Sequence, residues 1–281
     1  MPGLLAFHAH PDDESLSMGG TLARYAAAGE QVVVVTATRG EVGEIHNHDG
    51  PESLRESLGE MREGELRAAC SLLGVTTVEL LGYRDSGMAG TPDNDHPGAF
   101  WGADFMEAVG RLVRLVRRHR PEVMTAYDAF GGYGHPDHIQ VHRVGTAAFF
   151  GAVDAGRFPP EDGEEPWQPA KLYWVTWPRE RARARRRALA LTGDLTPEEA
   201  EQEPGAGTLD EHITTYLDVR DWFDRKMEAV VAHRTQIAAD SWFLALPEDV
   251  RRRGFSREAY ILAFSRVEGP ADTPDLFAGL R

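Results

Sequence analysis

Short apolar runs alternate with longer amphipathic stretches along the first half of the chain. Four runs rich in aliphatic and β-branched residues predict buried strands at 4–8, 32–37, 77–81 and 123–126. Apolar residues recur at helical spacing at 16–28, 55–73, 105–119 and from 137 to about 153. Gly29, Gly74 and Pro121 stand where three of these helices should end. This alternation predicts an α/β fold with a Rossmann-like, doubly wound, mainly parallel sheet.

The pattern loosens after residue 156. We expect one domain over 1–281, with a Rossmann-like core at 1–156 and a C-terminal cap at 157–281 that completes the fold. Within the cap, 171–177 is typical of a strand and 179–191 of a helix whose arginines lie on a solvated face. Residues 196–207 are poor in apolar side chains and predict a surface loop or a short acidic helix.

Composition and charge narrow the class of protein. The chain has 281 residues, of which 42% are hydrophobic and 27% charged, as in globular enzymes. Its net charge of −15 disfavours nucleic-acid and membrane-surface partners, because the overall field repels phosphate groups. The chain has a single cysteine, Cys70, so an internal disulfide is excluded. Cys70 lies in an apolar helical stretch, which predicts that it packs in the core. Because the chain has no disulfide, we expect a cytoplasmic protein. A monomer and a homo-oligomer both stay open.

The first polar cluster follows the first predicted strand, at the edge where parallel sheets bind ligands. It reads HPDDE at 10–14. His10 and Asp13 on one tight turn can converge on a single cation, which leaves Asp12 free to act as a base on an activated water. The alternative is that Asp12 and Asp13 are helix N-caps beside a surface histidine.

A second cluster, YDAFGGYGHPDH at 127–138, follows the fourth strand and faces the first cluster. One of its histidines can supply a third ligand, whereas His142 is expected to be a packing residue. Two histidines and a carboxylate fit either catalytic zinc or a ferrous site. The spare Asp12 favours hydrolysis, although Fe²⁺ stays open as the metal. A dinucleotide or flavin is disfavoured, because no glycine-rich phosphate loop follows the first strand.

The motifs AHPDDE at 9–14 and GGYGHPDH at 131–138 together resemble the LmbE/PIG-L-like family of zinc-dependent N-deacetylases. The resemblance implies three zinc ligands, namely His10, Asp13 and His138. It also implies that Asp12 is the general base and that His135 stabilises or protonates the transition state. In the same way, Asp137 would orient His135, and Tyr133 would help to polarise the amide carbonyl.

The substrate is suggested by RDSGMAGT at 84–91, which resembles the family branch that deacetylates N-acetylglucosaminyl-inositol in mycothiol biosynthesis. The substrate-binding residues implied by this likeness are Arg62, Asp85, Met88, Ser17 and Glu41, with Glu44 as the alternative to Glu41. Ser17 stands where relatives that cleave mycothiol S-conjugates tend to carry lysine. Residues 232–237 and 241–247, however, resemble that amidase branch. We therefore expect a small N-acetylated amino-sugar conjugate as the substrate, with an S-conjugate amidase as the alternative. A ferrous oxygenase and a non-catalytic, metal-dependent sugar-binding module are more remote alternatives.

Overall fold

The computed structural model describes residues 3–47, 51–161, 163–193, 195–270 and 272–281. Within these ranges seven strands form one sheet in the order β3-β2-β1-β4-β5-β7-β6. The strands are β1 (Gly3–His8), β2 (Gln31–Thr38), β3 (Thr77–Tyr83), β4 (Val123–Tyr127), β5 (Lys171–Thr176), β6 (Thr215–Asp218) and β7 (Arg257–Ser265). Strands β1 to β5 are parallel, whereas β7 is antiparallel to both β5 and β6. The predicted α/β fold with a mainly parallel sheet is confirmed.

The strand order reverses between β1 and β4, which pair in parallel with Leu4 opposite Val123 and Ala6 opposite Thr125. In doubly wound sheets the crevice at such a switch point, beyond the carboxyl ends of the strands, is where ligands bind. Both predicted polar clusters begin at these two strand ends. The topology therefore places them side by side.

The helices lie close to their predicted positions in the first half of the chain. They are α1 (Asp13–Ala27), α2 (Leu58–Leu73), α3 (Phe105–His119), α4 (Gly131–Gly134), α5 (Pro136–Gly151), α6 (Arg179–Thr192), α7 (Pro197–Ala200), α8 (Phe223–Ala232) and α9 (Glu248–Phe255). Helix α1 begins three residues earlier than predicted, because the acidic Asp13 and Glu14 are favourable in a first turn. The predicted helix at 55–73 is divided, with a 3₁₀ turn at Pro51–Ser57 before α2.

The C-terminal part both caps the sheet and extends it, since β6 and β7 form its edge. A buried ion pair lies where this part meets the core: Lys226 Nζ of α8 is 2.6 Å from Glu258 Oε1 of β7. The carboxylate of Glu258 also accepts hydrogen bonds from the backbone N–H groups of Gly20 and Thr21 in α1. Cys70 is fully buried in the core, as predicted.

The arginine-rich helix α6 has the predicted solvated face, where Arg183 and Arg187 pair with Glu203 and Glu201. Arg181 departs from this pattern, because its guanidinium lies over the Phe255 ring, 4.3 Å from the centroid. Residues 196–207 begin with the short acidic helix α7, capped by reciprocal hydrogen bonds between Thr196 and Glu199. Among the described residues, no helix is long and apolar enough to cross a membrane.

Candidate active site

The two histidine motifs meet at the carboxyl ends of β1 and β4. The ring centroids of His10 and His135 are 4.6 Å apart, and His138 lies 5.3 Å from each of them. The donor atoms of these three buried histidines all lie within 4.8 Å of one another. A second group of mutually close donors comprises His10, Asp85, His135 and Asp137. The structure thus brings together side chains that are up to 128 residues apart in the sequence, as between His10 and His138.

Asp13 joins the two motifs. Its Oδ2 atom lies 3.6 Å from His10 Nδ1 and 3.4 Å from His138 Nε2. Donor atoms about 2.0–2.1 Å from a tetrahedral ion are roughly 3.3–3.5 Å apart, so these separations suit a divalent cation. His138 Nδ1 donates to the Gly131 carbonyl at 3.2 Å, which leaves its Nε2 lone pair free for a ligand. Asp13 is thus within reach of both predicted histidine ligands, whereas the two groups of mutually close donors contain His135 and not Asp13.

The other ring nitrogen of His10 faces carboxylates. His10 Nε2 lies 3.1 Å from Asp137 Oδ2 and 3.4 Å from Asp85 Oδ1. The Asp137 carboxylate also accepts hydrogen bonds from the Ser86 amide at 2.9 Å and from the Ser86 hydroxyl. Asp137 contacts His135 differently, since its backbone N–H donates to His135 Nδ1 at 3.2 Å. Its carboxylate is therefore placed to orient His10, a metal-ligand candidate, and its amide to orient His135.

Asp12 has an unusual backbone conformation, with φ at 117°. A non-glycine residue in such a region is strained by about 1–3 kcal/mol and needs surrounding contacts to hold it. Its carboxylate lies 3.2 Å from Arg62 Nη2. Although Asp12 occupies the N-cap position of α1, its side chain makes no capping bond to any described residue of the helix. The N-cap alternative therefore does not explain this carboxylate, which is left available for chemistry.

The charge state of the cluster follows from burial and close partners. Burial raises the pKa of Asp12 to about 6, although Arg62 opposes the shift. Burial acts in the same direction on Asp13, but the imidazoles of His138 and His10 outweigh it and hold the pKa of Asp13 well below its usual range. Burial and the neighbouring imidazoles of His10 and His138 lower the pKa of His135 to about 4. His135 is then neutral at pH 7, and since its Nδ1 accepts a hydrogen bond, its Nε2 carries the proton.

Tyr133 lies at the mouth of the cluster. Its side chain is half exposed, and its hydroxyl is 3.5 Å from His138 Nε2. The preceding loop is shaped by Asp128, whose carboxylate accepts hydrogen bonds from the Phe130 and Gly132 amides. Gly132 has φ at 72°, and a Cβ there would lie 1.7 Å from a ring atom of Trp177. Glycine is therefore required for this close approach.

The predicted substrate residues divide into two groups. Arg62 donates to the Pro11 and Gly40 carbonyls, Glu41 accepts from the Asp85 amide, and Ser17 donates to the Asp13 carbonyl. These three side chains hold the backbone around the cluster. Asp85 itself faces His10, and Met88 on the same loop is exposed.

Two further predicted residues lie apart from the metal cluster. Glu44, the alternative to Glu41, is exposed and lies 3.3 Å from His46. His142 packs against Trp174 and bonds to the Tyr127 carbonyl through Nδ1 at 3.0 Å, in keeping with a packing residue.

Sequence analysis assigned no function to three polar residues that the structure places in or beside the site. Ser86 binds the Asp137 carboxylate, and Glu14 contacts both the Asp12 amide and His233. Ser86 and Glu14 lie inside the recognised motifs, so their positions were the available signal. His233 lies in the stretch 232–237 that resembles the amidase branch, and that likeness was the available signal, although it does not show that the side chain reaches the first turn.

The fold and the cluster together define a class of protein. A parallel sheet with histidine and carboxylate donors at its switch point, and one neighbouring carboxylate outside the donor set, is typical of a metal-dependent hydrolase. Comparison with known families makes the class specific, since the GlcNAc-PI de-N-acetylase (PIG-L) family matches residues 5–149. The chain belongs to this family, whose members depend on a metal. The predicted N-deacetylase, an amidohydrolase acting on linear amides, is confirmed.

Full-length relatives support this membership. The chain is 46% identical over 289 residues to a Streptomyces avermitilis protein named 1D-myo-inositol 2-acetamido-2-deoxy-alpha-D-glucopyranoside deacetylase, with 99% of this chain and 97% of that protein covered. A protein of the same name from Thermomonospora curvata is 44% identical over 295 residues, covering 99% and 95%. The N,N'-diacetylchitobiose deacetylase structure from Pyrococcus horikoshii shares the fold, with a TM-score of 0.66, 20% identity and coverage of 96% and 84%.

Proposed function

We propose that this protein hydrolyses the acetamide of an N-acetylglucosaminyl-inositol conjugate, with zinc as its metal and the cytoplasm as its location. The observation that carries the proposal is that the Asp13 carboxylate contacts His10 and His138, whereas the Asp12 carboxylate contacts Arg62 instead. A hydrolytic metal site needs such a base in addition to its ligands. The names of the two relatives support the choice of substrate. The buried, unpaired thiol of Cys70 is consistent with a reducing compartment.

The cation would be held by His10 Nδ1, Asp13 Oδ2 and His138 Nε2. One carboxylate and two imidazoles form a donor set that suits Zn²⁺ and also Fe²⁺. When bound, such a cation lowers the pKa of water and polarises an amide carbonyl. Asp137 would fix the ring of His10 through Nε2, and Gly131 would fix the ring of His138 through Nδ1.

The chain's own residues then carry the proton and stabilise charge. Asp12 takes a proton from the attacking water, whose oxygen adds to the acetamide carbonyl carbon. The neutral His135 donates its Nε2–H to the developing oxyanion, and the Tyr133 hydroxyl assists from the mouth of the cluster. When the C–N bond breaks, the proton held by Asp12 passes to the amine nitrogen. The products are acetate and the free amino sugar.

The sugar would lie against the loop that follows β3, which carries Asp85 and Met88. Asp85, beside His10, would accept hydrogen bonds from sugar hydroxyls, and the exposed Met88 would contact the conjugate. Arg62, Glu41 and Ser17 would shape this pocket by holding the surrounding backbone. The direct test is acetate release from N-acetylglucosaminyl-inositol by the purified, metal-loaded protein. Loss of that activity in Asp12→Ala that retains its metal is the accompanying control.

A second candidate is the hydrolysis of mycothiol S-conjugates, and one observation favours it. An apolar groove of about 310 Å³ adjoins Tyr133 and extends under the cap. Its apolar lining includes Leu16, Trp177, Trp242, Phe243 and Phe255. Trp242 and Phe243 belong to the segment whose sequence resembles the amidase branch, and such a groove could hold an apolar group attached to sulfur.

A further inference from the structure

A buried histidine–carboxylate pair links the C-terminal part of the chain to the first motif. His233 Nε2 lies 2.7 Å from Glu14 Oε1, and both side chains are fully buried. Because a carboxylate of this kind only accepts, the Nε2–H of His233 is the donor. The Ser15 hydroxyl donates to the same oxygen at 2.5 Å. Glu14 Oε1 thus accepts hydrogen bonds from both His233 and Ser15.

The second oxygen of Glu14 holds Asp12. The Asp12 amide donates to Glu14 Oε2 at 3.0 Å, and Asp12 has its left-handed φ of 117°. Arg62 also holds this turn, because it donates hydrogen bonds to the Pro11 carbonyl and to the Asp12 carboxylate. A strained residue persists only when its surroundings determine its conformation. Here the surroundings include a contact chain from His233 through Glu14 to the Asp12 backbone.

We propose that His233 is a positioning residue: it fixes Glu14, and Glu14 fixes the direction of the Asp12 carboxylate. The inference rests on the proposed function, in which Asp12 is the general base. Without His233, the buried Glu14 carboxylate loses one of its hydrogen-bond donors and turns, which releases the Asp12 amide. Asp12 then relaxes from its strained φ, and its carboxylate moves away from the attacking water.

The proposed metal ligands are held by other contacts. The Asp13 carboxylate accepts from the His10 amide at 2.9 Å, and His138 is held by the Gly131 carbonyl. Loss of His233 should therefore change proton transfer while leaving the metal content largely unchanged. This separation distinguishes positioning of the base from a general loss of structure.

The first experiment compares His233→Leu with His233→Gln. The glutamine amide can replace the Nε2–H donor, whereas leucine leaves Glu14 without it. We expect His233→Leu to lower kcat about 10- to 100-fold, the range that a small misplacement of a catalytic group produces. The metal stoichiometry and KM should stay within about threefold, and His233→Gln should recover most of kcat. Near-normal kcat in folded, metal-loaded His233→Leu would overturn the proposal.

A matched control comes from the opposite end of the sheet. His119 Nε2 lies 2.8 Å from Glu79 Oε1, at the C-terminal end of α3, which leads into the amino end of β4. His119→Leu removes a histidine–glutamate contact of similar length and should leave kcat unchanged. If His233→Leu does not fold, His233→Asn replaces it, since the shorter amide does not reach Glu14. Equal kcat values for the asparagine and glutamine variants would then contradict the positioning role.

The decisive experiment places His233→Leu in an Asp12→Asn background. If His233 acts through Asp12, the second substitution should lower the residual kcat by less than about threefold, because the base is already lost. Effects that multiply would show that His233 acts independently and would overturn the inference. A different result would refute the proposed function itself: Asp12→Asn alone would have a normal kcat. An inactive Asp12→Asn beside a fully active His233→Leu would leave the proposed function standing and refute the positioning role.

Discussion

His10 Nε2 lies 3.1 Å from Asp137 Oδ2, while the Nδ1 atom of the same ring faces Asp13 at 3.6 Å. The His10 imidazole therefore has a carboxylate on each side, and Asp137 and Asp13 have different roles. When a cation binds at Nδ1, Asp137 can accept the hydrogen bond from Nε2–H, which orients the ring toward the cation. Asp137 of the second His-Pro-Asp turn is thus the hydrogen-bond partner of His10 in the first His-Pro-Asp turn.

This relationship makes Asp137 a determinant of metal affinity. Asp137→Ala should weaken metal binding about 10- to 100-fold, as removal of a ligand's carboxylate partner commonly does. Competition with a fluorescent chelator measures the affinity of the apoprotein for zinc. Asp154→Ala, a change at a partly exposed turn residue outside the site, is the control. Equal zinc affinities for wild type and Asp137→Ala would contradict this role.

Metal removal should abolish turnover. The expected ligands lie in the turn after β1 (His10), at the start of α1 (Asp13) and on α5 (His138), and restoring a divalent cation to them should restore activity. The measurement is acetate release after chelation and dialysis, followed by titration with zinc and, without oxygen, with ferrous ion. Full activity in protein shown to be free of metal would exclude a catalytic cation.

Asp12→Ala should separate metal binding from catalysis. The carboxylate of Asp12 lies outside the proposed donor set, so the variant should keep its metal. Its kcat should fall about 10²- to 10⁴-fold, the usual contribution of a positioned base. Metal analysis and steady-state kinetics on the same preparation test both statements. A metal-loaded Asp12→Ala with near-normal kcat would remove this residue from the mechanism.

Substrate preference distinguishes the two candidate functions. We expect a higher kcat/KM for N-acetylglucosaminyl-inositol than for a mycothiol S-conjugate. Asp85→Ala should mainly raise KM, because hydrogen bonds to sugar hydroxyls persist from the ground state to the transition state. A tenfold or greater preference for the S-conjugate, about 1.4 kcal/mol of transition-state binding, would make the amidase function primary.

Two helical glycines should respond oppositely to alanine. A Cβ at Gly20 would lie 2.4 Å from Val219 Cγ2, so Gly20→Ala should destabilise the fold by about 1–3 kcal/mol. A Cβ at Gly64 meets no described atom within 4 Å beyond its local backbone, so Gly64→Ala should stabilise α2 by about 0.5–1 kcal/mol. Urea unfolding of both variants gives the comparison. A stability gain in Gly20→Ala would show that the contact between α1 and Val219 relaxes freely.

The sequence by itself determined the elements of the core and the chemistry of its two motifs. Helix α3 has its predicted bounds, and the four predicted core strands all form, because apolar periodicity and helix-ending glycines are local signals. The motifs at 9–14 and 131–138 also revealed the family. Their meeting at one sheet edge followed from the rule that parallel strands align their carboxyl ends.

Only the tertiary structure decided which partner each polar group takes. Asp137 was expected to orient His135, and its backbone amide does bond to that ring, but its carboxylate lies against His10. His233 reaches Glu14 across 219 residues of sequence. The antiparallel edge formed by β6 and β7 likewise depends on long-range pairing. Hydrogen bonds at about 3 Å depend on how strands and helices pack, and local sequence patterns carry no record of that packing. The residue types determine which chemistry is available, whereas the packing determines which atoms meet.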